Sequence, residues 1–204
     1  AEAVDRYYIG FDCGTMGTKT AIYRLDSTKM ADAYRENKIS YPQPGWAEMD
    51  PRCFVQNLRE GVRECLEKSG VNPSEIRGIS ASGIICGIVG IDGDWNPVTP
   101  FVPYLDARAR CEAEWVKANV KPCWLNESGN ANVDEYMPPM ILRWFLNHYT
   151  GFRDKAVKVV NNGPFVLGTL AGLKADEAFL DWATMSGWLI GYNVHDRNWS
   201  KRQM

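Results

Sequence analysis

An apolar run that breaks at a glycine turn and resumes as a second strand constrains the start of this chain more than any other feature. Tyr7 to Cys13 reads as a strand carrying one charge, Asp12; GTMGT reads as a tight turn; KTAIYRLD reads as the returning strand. A hairpin therefore opens the fold. AYRENKISYP is expected to add a third strand before PQPGWAEMDP interrupts regular structure. Asp50 followed by Pro51 then supplies a cap and a preorganised first helical residue. Phe54, Leu58, Val62 and Leu66 form an apolar stripe ending before Gly70.

Asn72, Pro73 and Glu75 open a short turn, and EIRGISAS and GIICGIVGID read as two strands joined near Ser82 and Gly83. VPYLDARARCEAEWVKAN predicts a strand end running into a helix with Leu105, Ala109, Glu112 and Val116 on neighbouring faces. Pro138 and Pro139 fit the front of a helix through Met140, Ile141, Trp144, Phe145 and His148, with a stop at Gly151. The apolar stretch AVKVV follows, and a further helix is expected from near Asn162 to Pro164. The last thirty or so residues mix short apolar segments with polar breaks, and no repeat or long linker is present. Strands, helix, strands, helices in this order favour one α/β unit with an irregular elaboration.

At 204 residues, 45% hydrophobic and 24% charged, the chain can bury a substantial core, and collagenous, coiled-coil and wholly disordered readings are excluded. A formal charge of -2 gives no electrostatic drive toward nucleic acid or an anionic membrane. No apolar run approaches the roughly 20 residues of a bilayer span, and AEAVDRYYIG lacks a signal-peptide pattern, so a cytoplasmic location is expected. The six cysteines form no CxxC pair and read as small reduced core residues. His148 and His195 make no compact metal pattern with them.

The strongest chemical signal is FDCGTMGTKT. Asp12, Gly14, Thr15, Thr18 and Lys19 combine turn amides that can meet a phosphate, a lysine that neutralises it and a carboxylate that can orient a hydrated divalent cation. Neither the P-loop spacing nor the dinucleotide fingerprint is satisfied. Taken alone, the segment reads first as a glycine-rich hairpin with a surface lysine and a capped aspartate.

Read in order with YPQPGWAEMDP, GISASGIICGIVGIDGDWNPVTP and YLDARA, the segment resembles the amino-terminal domain of the FGGY carbohydrate kinases, especially xylulokinase-like members. The likeness continues with gaps through NNGPFVLGTLAG and DWATMSGWLIGYNVHDRNW. The resemblance implies an actin-like, ribonuclease-H-like α/β fold, a mixed sheet with flanking helices, as the first of two kinase domains. It implies transfer of the ATP γ-phosphoryl group to a sugar or polyol hydroxyl, with Mg2+ arriving with ATP. Asp12 becomes the magnesium-linked carboxylate and, with Lys19, the catalytic pair. Gly14, Thr15 and Thr18 join them around the nucleotide phosphates.

On the acceptor side, xylulokinase-like relatives often carry SGQMHG where this chain has SGIICG, so Ile84, Ile85 and Cys86 replace an amide, a thioether and an imidazole, and polar contacts that would orient xylulose are lost. Cys86 is alternatively an inert packed residue. YLDARA places Tyr104, Asp106 and Arg108 near the acceptor, with Tyr104 in place of a tryptophan and Asp106 the preferred ligand. The local alternative makes Asp106 a helix cap and Arg108 its surface partner.

The resemblance places the general base and the second ATP-binding domain beyond the matched region, so residues 1–204 are expected to be a truncated first domain, inactive alone and partnered by a carboxy-terminal kinase domain. Asp181 is read as a capping carboxylate, not as that base. A homodimer is left open. The competing functions are a quorum-signal or other polyol kinase, or a non-catalytic actin-like nucleotide-binding regulatory protein.

Overall fold

A computed structural model describes residues 6–130 and 132–203; the amino-terminal AEAVD lies outside the described residues. The chain divides into two compact units, one formed by the described part of Ala1–Lys38 with Asp50–Gly83, the other by Ile39–Met49 with the described part of Ile84–Met204.

In the first unit, β1 (Tyr7–Cys13) and β2 (Gly17–Arg24) form the expected hairpin, paired from Tyr7↔Arg24 to Cys13↔Thr18. β3 (Lys29–Glu36) adds antiparallel to β2 and β4 (Ile76–Gly83) adds parallel to β1, giving a mixed sheet of order β3-β2-β1-β4. β3 starts and stops earlier than the sequence suggested. It ends where Asn37 turns back onto the hairpin, donating its side-chain amide to the Gly14 carbonyl at 2.6 Å.

Strand alternation divides the faces. Ile9, Ile22, Ala31 and Ala33 point to a core shared with Cys65 and Val71. α1 (Pro51–Ser69) covers that face over β2 and β3. Its start is as read: the Asp50 side chain accepts from the Arg52 amide, and Pro51 follows. Its end is too: Gly70, at φ 66°, donates to the Leu66 carbonyl. Phe54 and Leu58 of the expected stripe are buried, along with Val55, Gly61 and Cys65, while Val62 and Leu66 pack partly buried at the edge of that core. A strict four-residue repeat overshoots the 3.6-residue turn, so three such steps carry Leu66 about 120° away from Phe54. Gly61 lets the helix approach closely, since a Cβ there would lie 2.7 Å from Thr20 Oγ1.

In the second unit, β5 (Gly87–Ile91) is buried throughout and pairs antiparallel with both β6 (Val102–Pro103) and β7 (Lys158–Val160). β4 and β5, neighbours in sequence, thus belong to different sheets. α2 (Arg110–Asn119) begins later than expected, leaving Leu105 exposed and outside it. Glu112 interrupts the apolar face of α2 and is buried. Its Oε1 lies 2.9 Å from His148 Nε2 at the end of α4 (Pro138–His148), which forms as predicted behind its two prolines.

α4 supplies Met140, Ile141, Trp144 and Phe145 to the main core with Ile88, Val102, Ala113 and Val116. Short helices α3 (Leu125–Ser128) and α5 (Phe152–Lys155) follow α2 and α4; Gly151 begins α5 at φ 75°, and Tyr149 closes α4. α6 (Asn162–Ala171) starts where expected. Near it, a loop closed by the Asp92 carboxylate turns Trp95 inward at φ 69°, and its indole donates to the Phe165 carbonyl at 3.1 Å. A Cβ on Gly168 would fall 2.0 Å from that ring.

The end of the chain is irregular, as its composition indicated: α7 (Trp182–Met185), capped by Asp181, then the two-residue strands β8 (Tyr192–Asn193) and β9 (Asn198–Trp199). Of the cysteines, Cys13, Cys65 and Cys86 are core residues as read. Cys53 is half-buried, and Cys111 and Cys123 are exposed, so the core reading fails for these last two.

Candidate active site

Alternation that sends Phe11 and Cys13 into the first unit's core sends Asp12 to the opposite face. Asp12 and Lys19 are direct partners in the antiparallel register, so their side chains leave the sheet side by side. Among the described residues neither enters an ion pair, which leaves a carboxylate and an ammonium unspent. Both line a cavity of about 500 Å³ with Gly10, Ala21, Tyr23 and Tyr34.

The turn between them is tightly held. The Gly14 amide donates to the Gly17 carbonyl at 3.0 Å, so it is not available to a phosphate; the Thr15 and Met16 amides stay outside the turn's own hydrogen bonds. Gly14 contributes by lacking a side chain, since a Cβ would lie 3.2 Å from the Gly17 carbonyl and 3.6 Å from Asp12 Oδ2.

Thr18 also departs from the expected phosphate role. It is buried, and its hydroxyl donates to Asn37 Oδ1 at 3.2 Å and lies 4.0 Å from Cys13 Sγ. Asn57 donates to the same Asn37 oxygen at 2.7 Å. Thr18 therefore fastens the turn from behind. Burial pushes the Cys13 thiol up to about 12, with the Thr18 hydrogen bond opposing and the Asp12 charge adding. Tyr34 covers the turn, donating its hydroxyl to the Met16 carbonyl at 3.0 Å.

The acceptor-side residues all lie in the second unit and have unequal fates. Gly87 pairs with Pro103, so the chain just before β5 runs beside the chain just after β6. Ile85 and Tyr104 there are half exposed, whereas Cys86 is buried, and its thiol is raised by burial and then by the Asp134 carboxylate. The Asp134 carboxylate accepts the Tyr136 hydroxyl at 3.1 Å, which raises the Tyr136 pKa.

Asp106 is not presented to solvent. Oδ2 accepts the Ala47 amide at 2.6 Å; Oδ1 accepts the Arg108 amide and Nε at 2.8 and 2.9 Å. Arg108 is no surface partner either: its side chain is 0% exposed. Its guanidinium lies 2.9 Å from both Asp106 and Glu48, 4.0 Å over the Trp46 ring and 5.0 Å from that of Trp144. The pair is a buried pin that fixes the loop around Trp46 to the loop around Asp106. Local sequence missed it because residues 46, 48, 106 and 144 are far apart along the chain.

The exposed donors of the hairpin fit a nucleotide phosphate with its cation. Asp12 can face the cation, Lys19 and the Thr15 and Met16 amides can face phosphate oxygens, and the cavity beside them leaves room. Among the described residues no cluster of three or more His, Cys, Asp or Glu could hold a metal by itself. A cation would share its ligands with the phosphates it accompanies. Among the described residues no helix is long and apolar enough to cross a membrane.

Residues 7–204 match the sequence model of the FGGY family of carbohydrate kinases, N-terminal domain. The chain belongs to the FGGY family. Its α/β fold, a mixed sheet flanked by helices, is the actin-like arrangement expected of an FGGY amino-terminal half.

The FGGY relatives include xylulose kinase of Staphylococcus xylosus, 27% identical over 199 residues, covering 95% of this chain and 39% of that protein. Glycerol kinase of Pediococcus pentosaceus is 26% identical over 208 residues, covering 97% and 40%. The solved gluconate kinase of Lactobacillus acidophilus superposes with a TM-score of 0.84 at 20% identity, covering 98% of this chain and 39% of that one. The chain thus spans 39–40% of the length of these curated relatives. The names of these FGGY proteins divide among three acceptors, so family membership is common to them and the acceptor is not.

Proposed function

We propose that the protein carrying this chain transfers the γ-phosphoryl group of ATP to a hydroxyl of a ketose or polyol, with xylulose the first acceptor to test. The observation that carries this reading is the unspent Asp12–Lys19 pair beside a glycine turn, within the domain matched to the family. In phosphoryl transfer the protein's task is positioning and charge stabilisation. The Asp12 carboxylate would hold the hydrated magnesium that accompanies ATP. Lys19 would neutralise charge on the transferring phosphoryl oxygens, and the Thr15 and Met16 amides would orient them.

On the acceptor side, Tyr104 offers an aromatic face to the carbon-bound surface of a sugar, and Ile85 and Cys86 line the approach. Asp106 and Arg108 act there indirectly, by holding the Trp46 and Tyr104 loops in register. We assign the base that takes the hydroxyl proton, and the second nucleotide-binding domain, to the remainder of the protein.

The test is an ATP-coupled screen of the full-length protein across ketopentoses, ketohexoses, gluconate, glycerol and other polyols. One acceptor-dependent activity is expected. Asp12→Ala should lower kcat by roughly 10²–10³-fold, with folding intact by circular dichroism. Residues 1–204 alone should show no turnover, because they carry part of the machinery. ATP binding without turnover on any acceptor would instead identify a nucleotide-binding regulatory protein.

A further inference from the structure

Asn161 stands just before the first turn of α6, where an asparagine side chain ordinarily accepts a hydrogen bond from an amide of that turn. Here it makes no such bond. Its fully buried side chain serves two other groups: Nδ2 donates to the Gly87 carbonyl at 2.7 Å, and Oδ1 accepts the Trp188 indole N–H at 3.3 Å. An indole nitrogen only donates and a carbonyl only accepts, so these partners fix which way round the amide stands.

Both partners border the segment Ile84–Cys86. Gly87 follows it directly at φ 109°, and a Cβ there would lie 2.5 Å from the Val102 carbonyl oxygen and 2.6 Å from Phe101 Cζ. Gly187, next to Trp188, lies against the segment itself: a Cβ would meet Ile85 Cγ1 at 3.3 Å and Cys86 Sγ at 3.6 Å. On the other side of Trp188, Leu189 sits at φ 63° and ψ -70°, a strained γ-turn region that its complete burial holds in place. A helix that forgoes its own cap and a strained turn therefore converge on one short stretch of backbone.

We propose that Asn161 is a positioning residue for the acceptor segment, fixing the Ile84–Cys86 backbone through the Gly87 carbonyl and coupling it to Trp188. In this arrangement Ile85 is held half exposed while Cys86 stays buried. The inference rests on the reading that Ile85 and Cys86 border the acceptor.

Three variants of the full-length protein test it. Asn161→Ala removes both bonds, Asn161→Asp turns a second oxygen toward the Gly87 carbonyl, and Trp188→Phe removes only the indole donor. Steady-state kinetics in acceptor and in ATP are measured together with amide hydrogen exchange. Asn161→Ala and Asn161→Asp should raise the acceptor KM about tenfold or more with the ATP KM within about twofold, since small displacements of positioning groups carry large rate and binding costs. Amides 85–88 should exchange about tenfold faster while those of α4 keep their rate. Trp188→Phe should move both readouts in the same direction by less.

Unchanged exchange at 85–88 overturns the proposal, and so does an acceptor KM at the wild-type value in a variant whose 85–88 amides are loosened. A uniform rise in exchange across the second unit, with both KM values unchanged, also overturns it by showing a purely structural role. If no acceptor is turned over, the kinase reading fails on its own, and the exchange measurement still decides whether Asn161 holds the segment.

Discussion

Replacing Asp106 by alanine should destabilise the protein by about 3–5 kcal/mol, the cost of breaking a buried ion pair from one side. The carboxylate is 1% exposed and accepts two backbone N–H donors, from Ala47 and Arg108, in addition to its hydrogen-bonded ion pair with the Arg108 guanidinium. Its removal leaves the Arg108 guanidinium buried with Glu48 as its one remaining carboxylate among the described residues and orphans the Ala47 amide, itself worth about 1–3 kcal/mol. For a chain of this length, roughly 2–4 °C of melting temperature accompany each kcal/mol, so the midpoint should fall by about 10 °C.

Urea unfolding is followed by the fluorescence of the eight tryptophans, of which Trp46 and Trp144 flank the guanidinium. Asp106→Asn keeps an acceptor for Ala47 and should cost about half as much. Asp106→Ala with Arg108→Leu removes the stranded charge and should recover about 2–3 kcal/mol relative to additivity, as contacting residues in one network do. A midpoint for Asp106→Ala within about 2 °C of wild type, or strict additivity in the double variant, would refute the assignment of this pair as the element that holds the two loops together.

Gly17→Ala would place a Cβ 2.3 Å from the Tyr34 ring and should cost about 1–3 kcal/mol in chemical denaturation, with Tyr34→Ala recovering part of the loss. His148→Ala strands the buried Glu112, whose other oxygen has no hydrogen-bond partner among the described residues, and a loss of about 1–3 kcal/mol is expected by thermal melt, with His148→Gln restoring part of it. Because the Cys13 pKa is higher folded than unfolded, its contribution is fully present below the unfolded value and is lost as pH rises toward 12. Between about pH 8.5 and 10.5 that loss should reach about 2 kcal/mol, and urea melts of Cys13→Ala should lack this component. In the native protein Cys111 and Cys123 should react with a thiol reagent at neutral pH, while Cys13 and Cys65 should not.

The elements that could be read in advance are those whose signals are local. Asp50, Pro51 and Gly70 delimit α1 by chemistry confined to its own ends, and the glycine turn after Cys13 defines the hairpin. The same locality makes the Asp12–Lys19 pairing legible, because counting outward from a tight turn gives the register. The end of β3 escapes local reading because it is set by Asn37 bonding across to Gly14, and the start of α2 escapes it because Leu105 sits at helical spacing but outside the helix. Residue type and the family likeness mark Thr18 and Asp106 as ligands, whereas the burial of their side chains against Asn37, Ala47 and Arg108 is set by packing that the local pattern does not record. Asn161 carries a signal only in retrospect: a good capping residue whose side chain is used elsewhere.

The interlock of Trp95 with Gly168 restricts the order in which descendants of this sequence can change. Any side chain at position 168 collides with the indole, so substitution there is open only after Trp95 has become smaller. Shrinking Trp95 first abandons its hydrogen bond to Phe165 and leaves a void beside α6. Each single step is unfavourable and only the pair is acceptable, so the two positions should be inherited together. Related sequences should show them as a linked choice, a large aromatic with glycine or a smaller residue with alanine.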